Sequence, residues 1–178
     1  EGPDGAADLS QVESAARSIG QYARADIIVV NKSTVPIGTG DLVRQIVQDQ
    51  IQPGLHFSAV SNPEFLREGA ALVDFMTPDR VVLGAETPRS ERLLRAIYRP
   101  LYLIETPMVV TTLETAELIK YAANAFLAMK VSYINEIANL CEAVGADVQT
   151  VAKAVGLDGR IGRKFLHAGP GYGGSCFP

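Results

Sequence analysis

An α/β fold is predicted by three features of this 178-residue sequence. Short β-branched runs alternate with helical segments up to Thr112. The loops after the first two strands hold polar residues and proline, Ser33-Thr34-Val35-Pro36 and Asn62-Pro63-Glu64-Phe65. Residues 113–144 then contain neither proline nor glycine and repeat apolar residues every three or four positions. Strands alternating with helices build a layered domain with a largely parallel sheet, and its carboxyl-end loops are where a ligand is expected.

Taken in order, Asp8 or Ser10 caps a helix running to about Tyr22. Asp26-Ile27-Ile28-Val29-Val30 is short and β-branched, the pattern of a buried strand. Gly38 and Gly40 open a helix through about Asp49, and Pro53-Gly54 closes that unit. Phe57-Ser58-Ala59-Val60-Ser61 and Arg80-Val81-Val82-Leu83-Gly84 are further strands. Residues 89–98 are helical, and Met108-Val109-Val110-Thr111 is a last short strand. In the long segment that follows, Leu118, Ala122, Ala125, Phe126, Met129, Tyr133, Ile137, Leu140 and Val144 recur at helical spacing. One helix of roughly 30 residues is about 45 Å long, the reach of a spine between domains or of a subunit interface. Gly145 stops it, Asp147 starts a shorter helix to about Val155, and residues 156–178 are loop.

A hydrophobic fraction of 47% with 20% charged residues is ordinary for a globular protein able to bury a sizeable core. The net charge of −4 provides no basic footprint, which argues against a nucleic-acid partner. No apolar run approaches the roughly 20 residues needed to cross a bilayer, so no membrane partner is expected. Cys141 and Cys176 have no CxxC spacing and no histidine cluster near them, which argues against a metal site and against a disulfide framework. Two free thiols fit a reducing cytoplasm.

Cys176 lies in Gly169-Pro170-Gly171-Tyr172-Gly173-Gly174-Ser175-Cys176-Phe177-Pro178. Flanking glycines leave the thiol approachable from the backbone side, which suits a nucleophile or a ligand contact better than packing. Cys141, inside the long helix beside Leu140, is read as a packing residue. The glycine-rich run is not a dinucleotide fingerprint, because no strand precedes it and no helix follows within the chain. Gly38-Thr39-Gly40 lacks the third glycine at the required spacing.

Lys120 and Asn124 stand four apart on one helix face. A solvated face is the plain reading of that spacing. Tyr121, Ala122, Ala123 and Ala125 make the surroundings apolar, however, and an ammonium beside an amide can stabilise an oxyanion or orient a water. Glu64 and Glu68 flank Phe65-Leu66-Arg67, either as a surface turn salt-bridged through Arg67 or as carboxylates that activate water or hold a sugar hydroxyl. Thr34 either ends a strand or bonds a cofactor. Arg160 and Arg163 are solvated or grip phosphates.

Four stretches in order, over nearly the whole chain, resemble the UDP-glucose/GDP-mannose family of nucleotide-sugar dehydrogenases. They are Lys32 to Pro36, Asn62 to Gly69, Glu117 to Phe126, and Arg160-Ile161-Gly162 with Gly173 to Pro178. The resemblance implies that residues 1–112 are the C-terminal part of a Rossmann-like NAD-binding domain. It implies a central helical dimerisation domain at 113–159 and a catalytic cysteine loop at 160–178. The implied chemistry is four-electron oxidation of UDP-glucose to UDP-glucuronate by two NAD molecules in succession. Cys176 would trap the aldehyde as a thiohemiacetal, which becomes a thioester.

By the same resemblance, Lys120 and Asn124 stabilise oxyanions and place a water, with Lys120 also a base. Glu64 activates that water, Thr34 assists it on the cofactor side, and Glu68 lies near the nicotinamide end of NAD. Glu64, Lys120 and Asn124 would also touch the sugar nucleotide, together with Phe65, Leu66, Arg67, Lys164, Phe165, Leu166, Gly169, Tyr172 and Gly173. Arg160 would reach the substrate of a second subunit, and this, with the 113–144 helix, implies a homodimer.

The family's opening pyrophosphate-binding turn and its second α/β domain have no counterpart in this sequence. The expectation is an internal fragment that holds most catalytic side chains without turning over. GDP-mannose or a UDP-N-acetyl-hexosamine is the alternative substrate. A two-electron hydroxyacid dehydrogenase also places Lys and Asn four apart, but one hydride transfer needs no thiol. The rival from another class is a non-catalytic dimerisation module built on residues 113–144.

Overall fold

Residues 7–104 and 106–173 are described by a computed structural model. Their elements run α1 (Ser10–Tyr22), β1 (Ile27–Asn31), α2 (Thr39–Gln50), β2 (Phe57–Ser61), α3 (Ala71–Met76), β3 (Val81–Ala85) and α4 (Pro88–Ile97). A 3-10 segment (Arg99–Ile104) follows, then β4 (Met108–Thr111), α5 (Leu113–Val144) and α6 (Val148–Gly156). The elements expected from periodicity fall within a residue or two of these bounds. Sequence patterning did not anticipate α3 or the 3-10 segment. Helix α3 is six residues long and buries none of them, so no core-facing period marks it.

The four strands stand side by side in chain order. Strands β1 and β2 run parallel with Ile27 opposite Phe57, and β3 and β4 run parallel with Val81 opposite Met108. The sheet is thus largely parallel, as expected, except at its centre: β2 and β3 are antiparallel, paired at Val60–Ala85 and Ser61–Gly84. A parallel neighbour needs a crossover, which α2 and α4 supply on either side. Between β2 and β3 the chain turns back through a loop and short α3, and antiparallel pairing results.

Alternation along the strands divides the core of this first unit, residues 1–120, between two faces. Val29 packs with Ala16, Val43, Ile46 and Val47 of α1 and α2. Its neighbours Ile28 and Val30 face the other way, toward Val60, Val81, Leu83, Leu94 and Leu101. The start of α5 then meets the sheet with no side chain between. A Cβ on Gly84 of β3 would lie 2.7 Å from the Thr112 carbonyl oxygen and 2.9 Å from both Ala116 Cβ and Leu113 Cα. Glycine is required there by space alone.

The second unit, residues 121–178, has its own core of Ile134, Ala152 and Leu166, flanked by Ile137, Val148, Val155 and Ala168. Cys141 is buried, as its position beside Leu140 predicted. Phe126, Met129, Tyr133, Leu140 and Val144 form an apolar stripe along α5 that stands half or more exposed. Asp147 caps α6 by accepting the Gln149 and Thr150 backbone N–H groups at 3.1 and 3.0 Å. Hydrogen bonds from the Thr150 hydroxyl, then from the two backbone groups, hold the Asp147 carboxyl below its ordinary pKa of 3.8.

Two outcomes follow from this packing. Gly84→Val forces β3 and α5 apart, and urea unfolding should record a loss of about 1–3 kcal/mol, the usual cost of overpacking. For Asp147 the folded pKa is depressed, so its stabilisation is complete above the ordinary value of 3.8 and is lost as pH falls below it. The stability gap between wild type and Asp147→Ala should therefore narrow in acid. A gap that stays constant from pH 7 to pH 3 would refute the cap's role.

Candidate functional site

The carboxyl ends of β1 and β2 and the first turns of α5 surround a small cavity of about 10 Å³, room for one water. Asn31, Ser33, Thr34, Val35, Ser61, Pro63, Glu117 and Lys120 line it. Lys120 is only 3% exposed, which removes the solvated-face reading of its helix position. Its ammonium lies 3.5 Å from Glu64 Oε1, while Glu64 Oε2 accepts the Leu66 N–H at 2.5 Å. A separation of 3.5 Å is long for a charge-assisted bond, so the pair is only loosely closed. Asn31 Nδ2 is buried and has no hydrogen-bond partner among the described residues. Thr34 is exposed at the rim.

Residues that sequence reasoning had not singled out build the frame of this site. Glu117, one turn before Lys120, is 3% exposed and ion-paired with no described residue. Its Oε2 accepts the Gly38 N–H at 2.7 Å; its Oε1 accepts the Gly40 N–H at 2.7 Å and the Ser61 hydroxyl at 3.2 Å. The two glycine N–H groups sit at the N-terminus of α2, where partial positive charge favours a carboxylate. Asn62, 2% exposed, donates from Nδ2 to the Val82 carbonyl at 2.8 Å. Its Oδ1 accepts from Lys32 Nζ at 3.0 Å and from the Tyr98 hydroxyl at 2.5 Å. The loop that carries Glu64 is thus anchored at its root. Arg80 stacks over the Phe65 ring at 3.9 Å, and the Lys120 ammonium lies 5.3 Å from the same ring. The available signal for Glu117 was a carboxylate three residues from a lysine in an apolar helix stretch.

Other expected residues are distributed differently. Arg67 is exposed and engages Asp74 through its Nε at 2.9 Å and its NH2 at 2.5 Å. The salt-bridged turn therefore exists, but Glu64 and Glu68 do not make it, and residues 62–67 are not helical. The Asp74 carboxylate pushes the Arg67 pKa up. Glu68 is exposed.

In the second unit, Asn124 is half-buried on α5. Leu166 is 3% exposed, its side chain packed in the core of this unit with Ile134 and Ala152. Phe165 beside it takes the left-handed backbone, φ 64°. Lys130 Nζ donates to the Ile161 and Gly162 carbonyls at 3.0 and 3.2 Å, and Asn135 Oδ1 accepts the Gly169 N–H at 3.0 Å. Arg160, its side chain 90% exposed, is gripped by Asp158 at 2.6 Å, and that guanidinium holds the Asp158 carboxyl below its ordinary range. Lys164, Gly169, Tyr172 and Gly173 are exposed. Cys176 lies outside the described residues.

Helices on both faces of a sheet, with a charged pair at the strands' carboxyl ends, define a Rossmann-like α/β architecture. Residues 2–102 match the NAD binding domain of the UDP-glucose/GDP-mannose dehydrogenase family, and residues 114–178 match its central domain. The chain belongs to that family. It is 60% identical over 177 residues to a UDP-glucose 6-dehydrogenase of Rhizobium meliloti, and 54% identical over 174 residues to UDP-glucose 6-dehydrogenase TuaD of Bacillus subtilis. Each alignment takes in 98% of this chain but only 40% and 37% of the relative, so the chain spans about two fifths of the curated relatives' length. Among solved structures, a UDP-glucose dehydrogenase from Pyrobaculum islandicum superposes with TM-score 0.93 at 49% identity, covering 98% of this chain and 40% of that one. A GDP-mannose dehydrogenase from Pseudomonas aeruginosa superposes at 0.83 with 35% identity, covering 98% and 41%.

Removing the Asn62 side chain leaves the Val82 carbonyl unpaired in the core. Asn62→Ala should cost about 1–3 kcal/mol in urea unfolding. A loss below a few tenths would mean that the loop root does not depend on it.

Proposed function

We propose that this chain supplies the catalytic side chains of an NAD-dependent dehydrogenase that oxidises the primary alcohol of a nucleotide sugar, UDP-glucose, to the carboxylate. The observation that carries the reading is buried Lys120, paired with half-buried Glu64 and lining one pocket with Thr34 at the carboxyl ends of the strands. Identity of 60% and 54% to two UDP-glucose 6-dehydrogenases favours UDP-glucose over GDP-mannose, whose dehydrogenase is the more distant at 35%.

The donor set at the pocket fits part of the cofactor. Asn31 Nδ2, lacking a partner among the described residues, and the Thr34 hydroxyl suit a carboxamide or a ribose hydroxyl. Exposed Glu68 lies further along the loop after β2. NAD, when bound, would accept the hydride of each oxidation. Lys120, held away from bulk water, would take the alcohol proton as the neutral amine, and the ammonium so formed would balance charge on the oxygen as the carbonyl forms. Cys176 adds its sulfur to the aldehyde carbon, and after the second oxidation the same carbon is a thioester. Glu64 Oε1, only loosely paired to Lys120, accepts a proton from the water that cleaves it. The thiol and the carboxylate are released. Asn124 would orient the oxygen of these intermediates, and Phe65, Leu66, Arg67, Lys164, Phe165, Gly169, Tyr172 and Gly173 would enclose the sugar nucleotide.

The exposed stripe of α5 supports a homodimer, since apolar side chains of this size on one helix face are the usual seam of helix pairing. Arg160, fully displayed to solvent, would then serve the neighbouring subunit's substrate. The 178 residues by themselves are not expected to turn over, given the two-fifths share of the relatives' length.

In an enzyme of full family length carrying this sequence, aldehyde substrate plus NAD should leave a covalent adduct on Cys176, visible by intact mass and absent from Cys176→Ala. Oxidation unimpaired in that variant would sink the thioester route. Glu64→Gln should slow thioester hydrolysis by about 10²-fold or more, the usual loss for a general base, so that the adduct accumulates. For the dimer, Met129→Glu with Tyr133→Glu should shift sedimentation of the chain to the monomer, and wild type that already sediments as a monomer would overturn that assignment.

A further inference from the structure

Among the described residues Glu117 is the one deeply buried carboxylate, its bonds tie three elements together, and none of the proposed chemistry uses it. It sits on α5 exactly one turn before Lys120 and lines the same pocket. Both oxygens are engaged as acceptors: Oε2 with the Gly38 N–H, Oε1 with the Gly40 N–H and the Ser61 hydroxyl. Gly40 eases this approach, because a Cβ there would lie 3.1 Å from Oε1, tighter than an ordinary contact. An amide could not replace the carboxylate, since its NH2 would face a backbone N–H on one side or the other. The contact therefore fixes α5 in both rotation and depth against α2 and the end of β2. A helix rotated by a few degrees at Glu117 carries Lys120 away from Glu64, whose separation is already at 3.5 Å.

We propose that Glu117 is a positioning residue for Lys120: its carboxylate, seated on the α2 N-terminus and Ser61, holds the lysine ammonium in the pocket against Glu64. The inference rests on the proposed role of Lys120 for its kinetic consequence, but the geometry can be tested without any turnover.

The first measurement is acetylation of the 178-residue chain by acetic anhydride, read per lysine by mass spectrometry. Wild-type Lys120, 3% exposed, and Lys130, 9% exposed and held by carbonyls of the second unit, should both be protected. Glu117→Gln should raise labelling of Lys120 several-fold and leave Lys130 protected. Lys120 as protected as in wild type would overturn the proposal. If both lysines open together the variant has unfolded, and Glu117→Asp replaces it. That variant keeps the charge but is one methylene too short to reach both glycine N–H groups, and its Lys120 should open selectively. A folded Asp variant with Lys120 still protected would also overturn the proposal.

The second measurement uses an enzyme of full family length. Glu117→Gln should lower kcat by about 10²-fold, the scale of a misplacement near 1 Å, with KM for the nucleotide sugar within about twofold. In a Lys120→Ala background the same substitution should have no further effect, and Glu117→Asp should recover part of kcat. An equal loss in both backgrounds would show that Glu117 acts by another route. A wild type that forms no NADH from nucleotide sugars would remove the dehydrogenase reading and leave the acetylation result to stand alone.

Discussion

Burial of charge at the entry of α5 is the constraint around which the first unit is organised. Two ionised side chains one turn apart, Glu117 and Lys120, are both nearly inaccessible to water. Taking a carboxylate out of water costs several kcal/mol unless donors replace the solvent. Here two glycine N–H groups, a serine hydroxyl and the start of a twelve-residue helix replace it. That solution dictates much else. Residue 40 must be small, Ser61 must end β2, and Gly38 must turn with φ 91° so that its N–H points inward. Beside it Gly84, the partner of Ser61 across the β2–β3 pairing, lets the Thr112–Ala116 backbone lie directly on β3. The helix is seated by its backbone and by a carboxylate together.

Function in such a site depends on loops whose roots are rigid and whose tips are open. Asn62 joins the end of β2 to β3, to Lys32 and to Tyr98, so the chain that leaves it toward Glu64 starts from a fixed point. Farther out, Phe65 rests between Arg80 and Lys120, and Arg67 is occupied with Asp74. A ring flanked by two cations is held by its faces, which leaves its edge to meet a partner. Two oppositely charged groups, Lys120 at the pocket and Glu64 beside it, are close enough to interact without closing a short hydrogen bond.

Much of this was legible in the sequence because it is periodic. Strands β1 to β4 announced themselves as β-branched runs, and α5 by the absence of proline and glycine over its whole length. Lys120 and Thr34, read from spacing and from family resemblance, line one pocket, and Glu64 reaches Lys120 at 3.5 Å. Three things were not legible. The antiparallel β2–β3 pairing depends on the path of a loop, which no local pattern encodes. Glu117 looked like any helix carboxylate, because its partners are 56 to 79 residues away in sequence. The burial of Leu166 depends on packing against Ile134 and Ala152, which no local pattern around it encodes.

Phe165 has the opposite lesson to offer. An aromatic residue with φ 64° adopts a backbone that glycine takes without penalty, at a cost of order 1–3 kcal/mol. The path of the chain around it is imposed from outside, by Leu166 in the core, by Lys130 on the preceding carbonyls and by Asn135 on Gly169. Glycine at this position would keep that path and relax it. Phenylalanine stands there at that cost, and its ring is what the cost is borne for. At this one position, backbone comfort and side-chain chemistry pull in opposite directions, and a single substitution separates them.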